Sequence, residues 1–279
     1  MQLRKIEKQI IGRNILEGAG VKLVRVIGDQ DIEEFDPFLL LDAFDSHNPS
    51  DYVKGFPWHP HRGIETITYL VRGQVEHGDS LGNRGEILDG DCQWMTSGSG
   101  IIHQEMPQPS PHLLGVQLWL NLPAKDKLTK PKYQDILQQS IPVVEENSCT
   151  VHILAGRYED TVGAFSGEYV TPLILDVEVK PHAEWSIPTE LTDTLFVYIL
   201  QGDAVFHPDD DQSTKAKQAV LFGPGDSLWV KASGNGIRFL LFAAKPLQEP
   251  IAWGGPIVMN TKQELDQAFR DLDNNTFIK

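Results

Sequence analysis

The sequence has few cysteines and no long apolar run. Only two of its 279 residues are cysteines, Cys92 and Cys149, too few for a disulfide framework, so a thiol-reducing compartment is expected. No stretch approaches the roughly 18 uninterrupted apolar residues of a membrane-spanning helix. The first residues include Arg4 and Lys5 but no apolar run behind them, unlike a signal peptide. These absences predict a cytoplasmic protein without a membrane span.

Basic residues are also scarce, with 24 Lys and Arg against 39 Asp and Glu and a formal net charge of −15. A surface of this sign repels phosphates, so direct binding to nucleic acid or to a membrane is not expected. Hydrophobic residues make up 41% of the chain and charged residues 23%, which is typical of globular proteins. The length suits two domains of ordinary size or one large barrel.

Short apolar runs rich in Val, Ile, Leu, Thr, Phe and Trp recur between glycines and prolines. The clearest runs are residues 21–27, 66–71, 114–120, 173–179, 195–200 and 239–243. Each has about 5 to 7 residues, a length typical of strands, and regular short strands between turns favour a sandwich or a barrel. The sequence therefore predicts a mostly β fold.

Helical patterns are confined to two segments. At residues 261–272, Thr261 can cap the N-terminus and Glu264 follows three residues later, after which apolar residues fall on one face. A second, weaker pattern covers residues 133–139. We expect a C-terminal helix and a shorter helix in the connector between the two halves of the chain.

The two halves of the sequence resemble each other. Residues 65–73 and 194–202 are both apolar runs that end in glycine, and residues 88–91 and 223–226 both end in Gly-Asp before a strand. Such internal sequence similarity predicts a duplicated unit and hence two similar β domains. We expect the first domain at residues 1–130 and the second, with the C-terminal helix, at residues 131–279.

Three histidines and a glutamate have the spacing of metal ligands. His59 and His61 are separated by one residue, and His103 and Glu105 repeat that spacing. Because residues i and i+2 of a strand point to the same face, two such strands can close on one ion. Three imidazoles with a carboxylate and open positions suit Fe(II) especially. We predict that His59, His61, His103 and Glu105 form a metal site.

The corresponding positions of the second half lack these ligands. His59, His61, His103 and Glu105 align with Pro188, Glu190, Arg238 and Leu240, so a metal site is expected only in the first half. The other histidines, at positions 47, 77, 112, 152, 182 and 207, are isolated, and surface or structural roles are expected for them.

Apolar residues flank the predicted ligands. Phe56, Pro57 and Trp58 precede the first pair and Ile101 precedes the second, which predicts an apolar, partly aromatic wall suited to a flat organic ligand. Alternatively, Trp58 simply fills core volume. Cys92 is expected to be a buried, inert thiol.

The motifs around the predicted ligands resemble those of the pirin family. They are FPWHPHRGIETITY at residues 56–69 and QWMTSGSGIIHQEMP at 93–107, followed by QLWLNLP at 117–123 and GPIVMNT at 255–261. Pirins are bicupins, so the resemblance implies two cupin-type β-barrels and a short C-terminal helix, with one non-haem metal, commonly Fe(II), in the N-terminal barrel. It assigns ligand roles to His59, His61, His103 and Glu105, and none to Glu65, which is a ligand in many cupins.

The resemblance implies two alternative functions. Some pirins act as quercetin 2,3-dioxygenases, which cleave a flavonol with O₂ and release carbon monoxide. In that case the substrate is a small flavonol-like aromatic, and Glu105 shifts between ligand and base to deprotonate its hydroxyl. Other pirins are redox-sensing binding modules or co-regulators that contact a protein partner. Fe(II) is the expected ion, and Zn, Mn, Ni, Cu and Co are alternatives, because such ligands accept several divalent ions.

Overall fold

The computed structural model describes residues 2–278, which form two compact units. The first unit combines Arg13–Gln138 with Leu247–Lys279, and the second combines Met1–Gly12 with Gln139–Pro246. The expected domains, residues 1–130 and 131–279, differ from these units. The N-terminal segment belongs to the second unit and the segment from Leu247 onward belongs to the first. The C-terminal helix, expected in the second domain, belongs to the first unit because its contacts lie there.

Most of the regular structure is extended, as predicted. The strands in chain order are β1 (Ile6–Ile11), β2 (Arg13–Glu17), β3 (Val21–Ile27), β4 (Phe38–Ser46), β5 (Phe56–His61), β6 (Ile64–Arg72), β7 (Val75–Asp79), β8 (Arg84–Ile87), β9 (Cys92–Thr96), β10 (Ile101–Pro107), β11 (Leu113–Asn121), β12 (Lys132–Ile136), β13 (Val143–Glu145), β14 (Cys149–Ala155), β15 (Arg157–Tyr158), β16 (Thr161–Val162), β17 (Leu173–Val179), β18 (Glu184–Pro188), β19 (Thr194–Val205), β20 (Thr214–Lys215), β21 (Gln218–Phe222), β22 (Ser227–Ala244), β23 (Ala252–Gly254) and β24 (Ile257–Met259). All six apolar runs predicted as strands lie within them.

The first unit is built from two antiparallel sheets. One has the strand order β12-β9-β6-β11-β4-β3-β2 and the other the order β5-β10-β7-β8. Side chains from both sheets, including Leu23, Leu70, Val75 and Leu113, form one buried apolar cluster. Two sheets around a shared interior are the jelly-roll form of a barrel, in which no single sheet closes on itself. The predicted cupin-type fold is confirmed in this form.

The second unit is dominated by one nine-stranded sheet. Its main path is β1-β21-β19-β22-β17-β14-β13, with β18 added to β22 and β20 added to β19. Its core contains buried side chains such as Val177, Val197, Val220 and Phe239. The two longest strands, β19 and β22, pair with each other along most of their length and form the centre of this sheet.

Four short helical segments and one longer helix complete the fold. The short ones are α1 (Ile32–Phe35) and three 3₁₀ turns at Pro49–Asp51, Ala124–Asp126 and Gln138–Ser140. The predicted C-terminal helix is present as α2 (Lys262–Asp273), and Thr261 and Glu264 cap each other's backbone amides as expected.

The prediction of a helix at residues 133–139 is wrong. Lys132–Ile136 is strand β12, which pairs with β9 so that Tyr133 lies opposite Met95. Hydrogen bonding to the edge of the sheet outweighs the weak local helical pattern there.

No helix within residues 2–278 combines the length and apolar character that crossing a membrane requires.

Candidate metal centre

Strands β5 and β10 bring the three predicted histidine ligands together. The strands are antiparallel neighbours, and His59 lies directly opposite His103. The ring centroid of His103 lies 4.4 Å from that of His59 and 5.0 Å from that of His61. One nitrogen from each of the three rings lies within 4.8 Å of the other two. This separation allows the three imidazoles to share one ion.

The hydrogen bonds of two of these rings leave their outer nitrogens free to act as ligands. His59 Nδ1 lies 3.0 Å from the carbonyl of Pro57, and His61 Nδ1 lies 3.1 Å from that of Pro256. A carbonyl only accepts, so each Nδ1 carries the proton and each Nε2 presents a lone pair. The Nε2 atoms of His61 and His103 are buried without a hydrogen-bond partner.

Unpartnered polar atoms at this depth are rare in folded proteins, and a metal ion bound between the rings would satisfy both of these nitrogens. Burial lowers the pKa of His61 well below its usual value, and the neighbouring His103 and His59 lower it further. Burial likewise lowers the pKa of His103. The rings are therefore kept in the neutral form that binds metals. The residues present fit a divalent transition-metal ion.

Glu105 lies beside the histidine cluster, with Oε2 at 3.9 Å from His103 Nε2. Its buried carboxylate accepts hydrogen bonds from Thr68 Oγ1 at 3.2 Å and from Gln117 Nε2 at 2.9 and 3.0 Å. Trp119 Nε1 donates to Gln117 Oε1 at 3.2 Å, which turns the amide nitrogen of Gln117 toward Glu105. Glu105 is thus oriented by other side chains, and its role as a ligand stays a prediction.

A cavity of about 520 Å³ opens onto the cluster and is lined by His59, His61 and Glu105. Phe56 and Pro57 also line it, as expected from their position before the first histidine pair. Trp58 does not line it and is 52% exposed, because it alternates to the opposite face of β5 from His59. Ile101 is fully buried and lies outside the lining as well.

The cavity also has a polar side and a second aromatic side. Arg25 makes a bidentate ion pair with Asp42, with hydrogen bonds of 2.9 and 2.8 Å, and donates a third hydrogen bond to Glu17 at 3.0 Å. Trp119 and Trp253 contribute aromatic rings whose centroids are 5.9 Å apart. The lining therefore offers flat apolar surfaces together with hydrogen-bonding groups.

Several lining residues come from the C-terminal segment and were not identified from the sequence. Trp253, Gly255 and Pro256 all lie beyond residue 246, and Pro256 orients His61 from 195 positions away. The GPIVMNT motif marks this segment, but nothing in its local pattern indicates which residue it contacts.

Two buried cations attach the C-terminal segment to the first unit. Arg62 donates to Asp271 at 2.7 Å and to the Phe277 carbonyl at 3.1 Å. Lys127 Nζ donates to the carbonyls of Gly63 at 2.7 Å and Val258 at 3.0 Å. Burial lowers the pKa of Lys127 to about 7.

The other histidines of the first unit lie outside the cluster, as do Glu65 and Cys92. His77 hydrogen-bonds to the hydroxyl of Tyr133, and His47 stacks on His112 with their centroids 3.9 Å apart. Glu65 accepts a hydrogen bond of 2.6 Å from Thr96. Cys92 is buried, and burial raises the pKa of its thiol, as expected for an inert group.

Comparison with known proteins agrees with this fold. Residues 20–120 match the family model described as Pirin, and residues 174–278 match that described as Pirin C-terminal cupin domain. A pirin-like protein of Solanum lycopersicum is 42% identical over 98% of this chain and 94% of its own length. Pirin of Homo sapiens is 38% identical over 97% and 93%.

Among solved structures, a quercetin 2,3-dioxygenase from Acinetobacter baumannii superimposes with a TM-score of 0.89 at 30% identity, covering 99% of this chain and 98% of that one. The chain matches the two family models in order, and its relatives align with it over nearly their whole length. The chain therefore belongs to the pirin family.

Proposed function

We propose that the chain is a metal-dependent dioxygenase that uses O₂ to open the central ring of a flavonol-like substrate. The observation that carries the proposal is the cluster of three imidazoles, two of them with buried, unpartnered Nε2 atoms, next to a cavity of about 520 Å³ that His59 and His61 line. The similar structure from Acinetobacter baumannii, described as a quercetin 2,3-dioxygenase, supports the choice of reaction.

The four predicted ligands would hold the ion: His59, His61, His103 and Glu105. When bound, Fe(II) or a related ion would supply a Lewis acid and a redox-active centre for O₂ chemistry. Glu105 reaches the cavity wall, where its carboxylate can accept the proton of a substrate hydroxyl. Hydrogen bonds from Thr68 and Gln117 stabilise the carboxylate until a substrate arrives.

The dimensions and lining of the cavity suit a flavonol. Its volume lies within the range of about 300 to 1,000 Å³ typical of small-molecule sites. Trp119 and Trp253 offer aromatic surface against which a planar ring can pack, and the carboxylates of Glu17 and Asp42 can accept hydrogen bonds from phenolic hydroxyls.

The proposal is tested by comparing the wild type with His59→Ala and with His47→Ala, an exposed histidine of the same unit. Metal content and O₂ uptake with quercetin are measured for all three proteins after anaerobic loading with Fe(II). We expect about one ion per chain in the wild type and in His47→Ala, and a loss of both bound metal and at least about 100-fold of the turnover in His59→Ala. Unchanged turnover in metal-depleted His59→Ala, or no turnover in the loaded wild type, would contradict the proposal.

A further inference from the structure

We propose that the first unit contains a separate site for an apolar diatomic gas, O₂ in the reaction, in a small cavity behind Glu105. This inference rests on the proposed dioxygenase function. The cavity has about 10 Å³ of room for the centre of a water-sized molecule and is bounded on one side by Phe44, Leu70, Val75 and Leu113. O₂ is longer than a water molecule, but its two atoms are each about water-sized and lie less than one atomic diameter apart, so both atomic centres fit in a compact space of this volume.

The polar atoms beside this cavity already bond to one another. Thr68 Oγ1 donates to Glu105 Oε1 at 3.2 Å, and Gln117 Nε2 donates to both Glu105 oxygens and, at 3.1 Å, to Thr68 Oγ1. A buried water needs two to four polar partners, whereas an apolar gas needs none. The cavity therefore favours a small apolar molecule over water.

The position of the cavity gives it a role in the reaction. Phe56, Glu105 and Gln117 line both this cavity and the 520 Å³ cavity, so these three side chains form the partition between them. A flavonol in the larger cavity would obstruct the approach of a second reactant from that side. A gas molecule held behind Glu105 would lie next to this candidate ligand without passing the organic substrate.

Val75 and Val21 provide a matched pair for testing this site. Both are buried members of the same apolar cluster, but only Val75 lines the small cavity. Val75→Ile adds one methyl group to the cavity, and Val21→Ile adds the same group elsewhere in the same core. Any general cost of overpacking is thus shared by the two variants.

The binding test uses dissolved O₂ itself, which is paramagnetic, as the probe of the metal-free full-length protein. Methyl relaxation is measured by NMR under raised O₂ pressure. We expect the methyl groups of Leu70, Val75 and Leu113 to relax several-fold faster than those of Val21 and Leu23, which are equally buried but do not line the cavity. Val75→Ile should abolish the difference and Val21→Ile should preserve it. An equal increase in the methyl relaxation rate at all five residues would overturn the gas site. This comparison uses the wild-type protein alone.

The kinetic test measures O₂ uptake with quercetin at varied O₂ concentration. We expect kcat/KM for O₂ to fall about five-fold in Val75→Ile, while KM for quercetin and the metal content stay unchanged. In Val21→Ile all three quantities should stay unchanged. A normal kcat/KM for O₂ in Val75→Ile would overturn the role of the cavity in the reaction. Failure of the loaded wild type to consume O₂ counts against the proposed function alone, because the relaxation measurement decides gas binding independently.

Discussion

Gln117 donates from its side-chain amide to both carboxylate oxygens of Glu105, at 2.9 and 3.0 Å. The two residues lie on neighbouring segments of chain, β11 and β10, that belong to different sheets of the first unit. Trp119 fixes the amide by donating to its oxygen. The orientation of the fourth candidate ligand is therefore set by a residue that is not itself a candidate ligand.

Replacing Gln117 should weaken metal binding without removing a ligand. We expect Gln117→Leu to raise the Kd for a divalent ion such as Ni²⁺ about 10-fold, because groups that orient ligands typically contribute 10- to 100-fold to affinity. Calorimetric titration of the metal-free protein measures this effect. The control is Gln134→Leu, which removes an exposed glutamine of the same unit. Equal affinities in the two variants would show that Gln117 does not position Glu105.

Trp253 should contribute to substrate binding more than to chemistry. We expect Trp253→Ala to raise KM for quercetin about 10-fold with little change in kcat, because it removes an aromatic face of the cavity and no candidate ligand. Steady-state O₂ uptake measures both constants. Trp58→Ala, which removes an exposed tryptophan outside the cavity lining, should leave KM unchanged. If the two variants behave alike, the substrate does not contact Trp253.

Arg62 should be a major source of stability for the C-terminal segment. Its side chain is 3% exposed, and its ion pair with Asp271 is supplemented by a contact with the ring of Phe277 at 4.1 Å. We expect Arg62→Met to lower the free energy of unfolding by about 3 kcal/mol, since it removes one partner of a largely buried ion pair together with the hydrogen bond of Arg62 to the Phe277 carbonyl. Urea denaturation of the metal-free protein measures the change.

The matched control for Arg62→Met is Arg72→Met, which breaks the exposed pair of Arg72 with Asp89. Surface ion pairs contribute at most about 1 kcal/mol, so this variant should unfold nearly like the wild type. A similarly small effect of Arg62→Met would mean that the segment is held mainly by other contacts.

Lys127 should make stability depend on pH above neutrality. Burial lowers its pKa from 10.5 to about 7, so between these values the unfolded chain binds more protons at this residue than the folded chain does. The free energy of unfolding should therefore rise with pH across that window, by about 1 kcal/mol per pH unit. Lys127→Met should lack this contribution.

The pH prediction is measured by urea denaturation of the wild type and Lys127→Met at pH 7, 8 and 9. The difference in free energy between them should change in favour of the wild type as the pH rises. Lys125→Met, which removes an exposed lysine two residues away, should give a constant difference from the wild type. A constant difference for Lys127→Met as well would contradict the lowered pKa.

The features that could be predicted from the sequence depend on local spacing. His59 and His61 share a strand face because they are two residues apart, and the capping of α2 needs only Thr261 and Glu264. These patterns are complete within a few residues. The apolar runs likewise identified strands, although not their order in the sheets.

The features that could not be predicted depend on contacts between distant segments. The carbonyl of Pro256 orients His61, and the amide of Gln117 orients Glu105, yet neither residue carries a pattern that names its partner. The pairing of the edge strand β12 with β9 likewise replaced the helix expected at residues 133–139. In each case the tertiary environment selects the partner or the conformation.

Anomalous diffraction from crystals of the protein loaded with Ni²⁺ or Fe²⁺ tests the metal centre most directly. We predict one strong anomalous peak in the first unit, within bonding distance of the Nε2 atoms of His59, His61 and His103 and of a carboxylate oxygen of Glu105. A peak at other residues, or no peak between these three imidazoles in protein that retains the ion, would contradict it.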